Sequence, residues 1–220
     1  AISRETLSWM CRTYSSMGLP PLVRMKSPDH YIATEFLDDG AAGIISPYTE
    51  TVTQVKELVG ATKKRPLKGG RLNQLMVGKE NLEESLDDYI NKSNENNLLV
   101  LNIESKPAIE NLDQILDIAG IDAVQIGPHD LTTSLGIPEE YDNPKYLNTI
   151  EMVFKKARSK SIGAGIHAWG TPEYQKRLLD LGANMLIHKA DVLFFRDGLE
   201  NDLTEIRSLV GKTVFSRGEN

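Results

Sequence analysis

Two carboxylates stand at the ends of strongly apolar runs. Glu104 stands next to last in NLLVLNIES (residues 97–105), and Asp130 follows AVQIGPH (residues 123–129). A carboxylate at the end of a buried run is costly unless it meets a cation. Each acid alone has an ordinary reading: Glu104 as an exposed strand-end or helix-start acid, Asp130 as the cap of a short helical turn. Brought together, two carboxylates make a site for a hard divalent cation, Mg²⁺ or Mn²⁺ with Co²⁺ as a variant, which keeps positions open for water and an oxygen-rich ligand. Zinc fits less well without three histidines. Histidines at positions 129, 167 and 188 also follow or end apolar runs and keep a histidine-ligated alternative open. Arg24, next to last in PPLVRM, offers a guanidinium for a carboxylate or a developing oxyanion.

These residues need a scaffold that brings strand ends together. Three echoes supply its signature: FLDDGAAGIIS from Phe36, ILDIAGIDAVQI from Ile115 and LLDLGANMLIH from Leu178. Each reads as a helix end, a glycine able to take the left-handed cap, and a short buried strand. Asp180 in the last echo cautions that Asp38 in the first can be a plain helix-end acid. Near-continuous apolar runs mark strands buried on both faces, as in a parallel sheet. Six strands are expected, near Leu22, Ile44, Val100, Val124, Ile166 and Leu186.

Helical patterns fall near Arg4–Ser16, Asp29–Asp39, Glu50–Thr62, Asn81–Asn94, Pro107–Ile118, Lys145–Lys160, Pro172–Leu181 and Asp191–Leu209. Ser27-Pro28-Asp29 and Thr171-Pro172-Glu173 open two of them with a capping residue, proline and an early acid. Alternation of strand and helix gives an α/β domain, either a (β/α)₈ barrel or an open doubly wound sheet. No G-x-G-x-x-G or P-loop opens a helix, which favours the barrel. The fold class expected is therefore a (β/α)₈ TIM barrel in one domain over residues 1–220, N-terminally incomplete, with its first two strands before Ala1.

Bulk properties restrict the partners. The 220 residues are 40% hydrophobic and 25% charged, enough for one domain with a sizeable core. A net charge of −6 and a pI near 5.3 leave no basic stripe for a phosphate backbone, so nucleic acid is not expected. No run approaches ~18 apolar residues and no signal pattern opens the chain, so no membrane partner and a cytoplasmic location are expected. The single Cys11 cannot form an internal disulfide and reads as a small buried hydrophobe.

From about Leu22 to Leu209 the sequence resembles the metal-dependent class II pyruvate aldolases of the HpcH/HpaI family, which includes 2-keto-3-deoxy sugar-acid aldolases and macrophomate synthase. The matching stretches are LVRM, FLDDGAAGIISPYTET, LNIESKPAIENLDQIL, IDAVQIGPHDLTTSLG and LLDLGAN. The resemblance implies a TIM barrel of the phosphoenolpyruvate/pyruvate type with a divalent metal held by Glu104 and Asp130. It implies backbone amides at His129 and Asp130 on the carboxylate of a 2-oxo acid, and Arg24 on its keto oxygen. The activity implied is cleavage of a 4-hydroxy-2-oxo acid to pyruvate and an aldehyde through a metal-held pyruvate enolate, within a homo-oligomer whose last helix and tail after Gly211 pack on a neighbour.

The family's base, a histidine in an E-H motif, aligns just before Ala1, so the expectation is that these residues are part of a longer polypeptide. Asp38 matches an aspartate that supports that base from a neighbouring subunit. Asn102 stands where many members have glutamine near pyruvate, and His167 where many have leucine beside the substrate. In RPLKGGRLNQL, Leu72 replaces the last glycine of the family's Gly-x-Arg-Gly loop, so Arg71 receives no firm role. Two alternatives accompany this reading. One is a citrate-synthase-like or macrophomate-synthase-like enzyme on the same site; the other is a non-catalytic barrel that binds oxo acids.

Overall fold

A computed structural model describes residues 2–210; the tail after Gly211 lies outside the described residues. The elements run α1 (Arg4–Ser16), β1 (Leu22–Arg24), α2 (His30–Asp38), β2 (Gly43–Ser46), α3 (Val52–Lys63), α4 (Gly69–Met76), α5 (Glu84–Asn94), β3 (Leu98–Ile103), α6 (Lys106–Glu110), α7 (Leu112–Leu116), β4 (Ala123–Ile126), α8 (Pro128–Ser134), α9 (Pro144–Ser159), β5 (Gly163–Ala168), α10 (Pro172–Asp180), β6 (Met185–His188) and α11 (Asp191–Val210). Among the described residues the strands form one sheet in the order β1-β2-β3-β4-β5-β6. The registered pairs from β1 to β5 are all parallel. The architecture is a parallel α/β half-barrel with the six strands anticipated from the apolar runs. A compact unit ends at Leu186, and a second begins at Ile187 and carries the end of β6 and α11.

Strands β2 to β5 are mainly buried on both faces, which is why they show no polar alternation. Ile44, Leu99, Leu101, Ile103, Val124, Ile126 and Ile166 are inaccessible to solvent, as are Leu58 of α3 and Phe154 of α9. Each such side chain contributes roughly 1.5–3 kcal/mol relative to exposure. Cys11 is free and buried, as its composition suggested. An open groove of about 630 Å³ runs beside β1, lined by Leu7, Cys11, Leu22, Arg24 and Phe36. Among the described residues no helix is long and apolar enough to cross a membrane.

Local chemistry sets most helix starts. Thr51 and Gln54 form a reciprocal capping box at the head of α3, of the kind worth about 1 kcal/mol. Asp29, rather than Ser27, caps α2 by accepting from Tyr31 and Ile32. Thr171 caps α10 with Pro172 at its first position. The expected helix over Pro107–Ile118 is two short ones, because the chain turns at Asn111, which ends α6 and opens α7. One helix was not anticipated, and the short helical turn expected at GPHDL is a full one. The glycines of KGGRL open α4 without any side-chain cap, and GPHDL starts the seven-residue α8 directly from β4.

Candidate functional site

In a parallel sheet every strand delivers the residue after its last one to the same edge. The C-terminal ends of β1, β2, β3 and β4 are sheet neighbours, and they carry Arg24, Tyr48, Glu104 and Asp130 respectively. The two acids separated by 26 positions in sequence therefore meet on one rim.

Glu104, the first residue past β3, is 1% exposed. Its Oε1 accepts the backbone N–H of Tyr48 at 2.9 Å, and its Oε2 accepts Asn102 Nδ2 at 2.9 Å. Arg24 Nη2 lies 3.9 Å from Oε1. Burial pushes the Glu104 carboxyl above its ordinary range and the charge of Asp130 adds to this, against the Tyr48 N–H, the Asn102 amide and Arg24. A buried acid whose charged form the protein disfavours, despite two hydrogen-bond donors and a nearby guanidinium, lacks enough positive charge among the protein groups around it.

Asp130 lies in the first turn of α8, yet it is not the cap. Gly127 holds the cap position and makes no side-chain cap bond. Instead Asp130 Oδ1 accepts the Tyr48 hydroxyl at 2.7 Å. That bond, then burial, pushes the Tyr48 hydroxyl up to about 12, so it remains a protonated donor at neutral pH. Tyr48 thus ties the carboxylates together, backbone to Glu104 and phenol to Asp130. It does so from left-handed backbone, at φ 46°, a conformation uncommon for a bulky residue.

The loop around Tyr48 is fixed from both sides. Thr49 and Ser46 are wholly buried, and the Thr49 hydroxyl bonds Ser46 Oγ at 3.0 Å. Ser105, beside Glu104, donates to the Glu50 carboxylate. Asn111 Nδ2 donates to the Glu50 carbonyl at 2.9 Å.

The remaining anticipated residues divide. Asn102 belongs to the cluster through Glu104, and its Oδ1, like Oε1 of its register neighbour Gln125, is buried without a hydrogen-bond partner among the described residues. His129 precedes Asp130 but turns its exposed ring to Glu139, Nδ1 to Oε1 3.7 Å. His167 lies near the end of β5, its ring edge-on to Trp169 with centroids 4.6 Å apart. His188 ends β6 and packs edge-on against Phe194 at 5.4 Å. Asp38 is not brought to this rim within the chain: it ends α2, at the side that feeds the start of β2, and pairs with Arg65. Arg71 pairs with Glu80 and Glu83.

No group of three or more His, Cys, Asp or Glu side chains gathers among the described residues, so the histidine-ligated alternative finds no support. A pair of carboxylates does suit Mg²⁺ or Mn²⁺, which take one or two carboxylates and fill the other positions with water and substrate oxygens. The uncompensated Glu104 and the unpartnered Asn102 oxygen fit a cation and a polar ligand here. Tyr48 is the member that sequence reasoning missed. The signal that could have found it was its place after a strand end, in SPYTET, on the same rim.

Comparison with known proteins bears on this arrangement. The HpcH/HpaI aldolase/citrate lyase family model matches residues 6–190. The 2-keto-3-deoxy-L-rhamnonate aldolase of Salmonella paratyphi A is 33% identical over 197 residues, 90% of this chain and 73% of that protein. Among solved structures, the HpcH/HpaI aldolase from Desulfitobacterium hafniense DCB-2 superposes with a TM-score of 0.78 at 23% identity, covering 100% of this chain and 82% of that one. Macrophomate synthase does so with a TM-score of 0.72 at 21% identity, covering 96% and 74%. These two likenesses speak to the fold.

Proposed function

Because the chain belongs to the HpcH/HpaI aldolase/citrate lyase family, we propose that it is a divalent-cation-dependent carbon–carbon lyase that cleaves a 4-hydroxy-2-oxo acid to pyruvate and an aldehyde. The observation that carries this reading is Glu104, a buried carboxylate linked through Tyr48 to Asp130 beside Arg24. The 2-keto-3-deoxy sugar acid in the relative's name sets the first substrate class to try.

Glu104 and Asp130 would hold the cation. When bound, it supplies Lewis-acid polarisation of the 2-oxo group. Arg24 faces the charge that develops on the 2-oxo oxygen as the C3–C4 bond breaks, and a guanidinium placed in advance stabilises that charge without reorganisation. The backbone of His129 and Asp130 orients the substrate carboxylate. Asn102 keeps Glu104 in place from below with one end of its amide and offers its unpartnered oxygen to a donor. The 4-hydroxyl proton leaves to a base that we assign to none of the described residues.

His167 lines the aldehyde side and favours an acidic or hydroxylated aldehyde. Asp38 would contribute only from a second copy of the chain. A homo-oligomer accords with the exposed Val192, Phe195 and Leu209 along α11.

The test uses the intact protein stripped of metal with a chelator, then supplied with Mg²⁺ or Mn²⁺ and a panel of 4-hydroxy-2-oxo acids. Pyruvate and aldehyde should appear in equal amounts only with cation present. Silence across the panel, with consumption of acetyl-CoA and an oxo acid instead, would overturn the lyase reading in favour of a citrate-forming one.

A further inference from the structure

The geometry points to Tyr48 as a positioning residue that presets the two carboxylates for the cation, an inference that rests on the cation site proposed above. Its backbone N–H holds Glu104 Oε1 and its hydroxyl holds Asp130 Oδ1, at 2.9 and 2.7 Å. One residue therefore fixes both acids, although they follow different strands. The bond to Oδ1 restrains the Asp130 carboxylate, so that it would be held in one orientation for a cation. Partners of this kind, which bond a ligand rather than the metal, commonly set 10–100-fold of affinity.

Two features show that the placement is built rather than incidental. The backbone at Tyr48 is left-handed, a conformation that is costly for an aromatic residue and persists only where the surroundings enforce it. The enforcement is visible in the buried Ser46 and Thr49 before and after it. Tyr48 as a whole, by contrast, is 45% exposed. The side chain is thus not a core element, and its hydroxyl is engaged by Asp130.

The test is Tyr48→Phe in the intact protein, which removes the hydroxyl and leaves ring and backbone N–H in place. Mn²⁺ binding, followed by calorimetry without substrate, should weaken about 10–100-fold while the thermal midpoint of the metal-free protein is unchanged. Turnover at low Mn²⁺ should fall and recover when Mn²⁺ is raised to saturation, a rescue that a general structural lesion would not show.

Glu104→Gln is measured alongside. If Glu104→Gln loses Mn²⁺ while Tyr48→Phe binds it as tightly as the parent or more tightly, the positioning role is overturned and the cation site stands. If Glu104→Gln binds Mn²⁺ like the parent, the cation site itself falls, and this inference with it.

Discussion

Gly127 lies against the carboxylate of Glu104. A Cβ built on Gly127 would stand 2.3 Å from Oε2 and 3.2 Å from the Cβ of Glu104. The backbone there has φ −92°, open to any residue, so the absence of a side chain answers to space rather than to conformation. Residue 127 is glycine because the buried acid of the neighbouring strand occupies the volume.

Gly127→Ala should therefore leave the fold intact and displace the Glu104 carboxylate from Asn102 and Tyr48. A shift of about 1 Å in a positioned catalytic group is enough for roughly 10²-fold in rate. Steady-state turnover together with Mn²⁺ affinity would show it; unchanged values for both would mean that the carboxylate has room to move.

The raised proton affinity of Glu104 makes a prediction about stability. Its carboxyl is shifted upward in the folded chain, chiefly by burial, so the folded state holds this proton more tightly than the unfolded one. The stability this contributes is fully present below the unfolded carboxylate range. It is lost as pH rises through that range to the folded value, and above both the ionised group is a net cost. With chelator present at neutral pH, Glu104→Gln should melt at higher temperature than the parent, and the difference should fade on acidification. The Asn102 amide can turn to meet the new Gln, since its Oδ1 has no partner now among the described residues. Adding Mg²⁺ at neutral pH should raise the melting temperature of the parent and not of the variant. Thermal melts across pH, with and without cation, decide it.

Arg24 touches Glu104 only at 3.9 Å and is half exposed, so its tie to the acid is weak in the resting protein. Its effect should appear as charge develops on the substrate. Arg24→Ala is expected to lower kcat by about 10²–10³-fold, the loss typical of one oxyanion donor, with Mn²⁺ affinity changed by no more than a few-fold. A variant that lost cation affinity and kept kcat at saturating cation would reassign Arg24 to holding the acids.

How much of this was legible in the sequence follows from the range of the forces involved. The strands could be read because the central ones are buried on both faces and carry near-continuous apolar runs, and α10 because its start is set by a local cap. Glu104 and Asp130 stood out as charges at the ends of such runs. Helix α4 was hidden because GG is a breaker by local propensity and its stabilising partners lie elsewhere in the chain; Leu72, for example, packs over Gly60 of α3. Tyr48 was hidden for the same reason. Nothing in SPYTET announces that its backbone turns left-handed or that its hydroxyl crosses to a residue 82 positions away. Asp38 is the converse case: a resemblance of motif named it, whereas the chain's own fold pairs it with Arg65.

Gly43, at the start of β2, separates fold from site. It pairs in register with Leu22 of β1 and Leu98 of β3, and a Cβ there would lie 2.5 Å from the Leu98 carbonyl oxygen, 2.6 Å from Leu98 Cβ and 2.9 Å from Leu22 Cδ2. Backbone as well as side chain would be struck, so the clash cannot be relieved by a rotamer change alone. Gly43→Ala should destabilise the protein by about 1–3 kcal/mol, as overpacking of a tight core does. The strain enters at the opposite end of β2 from the Tyr48 loop, so the folded fraction should bind Mn²⁺ with parental affinity. Chemical denaturation paired with cation titration tests both halves. A variant of parental stability would show that the strands can part at this point without cost, and a stable variant with weakened Mn²⁺ binding would show that β2 transmits its position to the carboxylate pair.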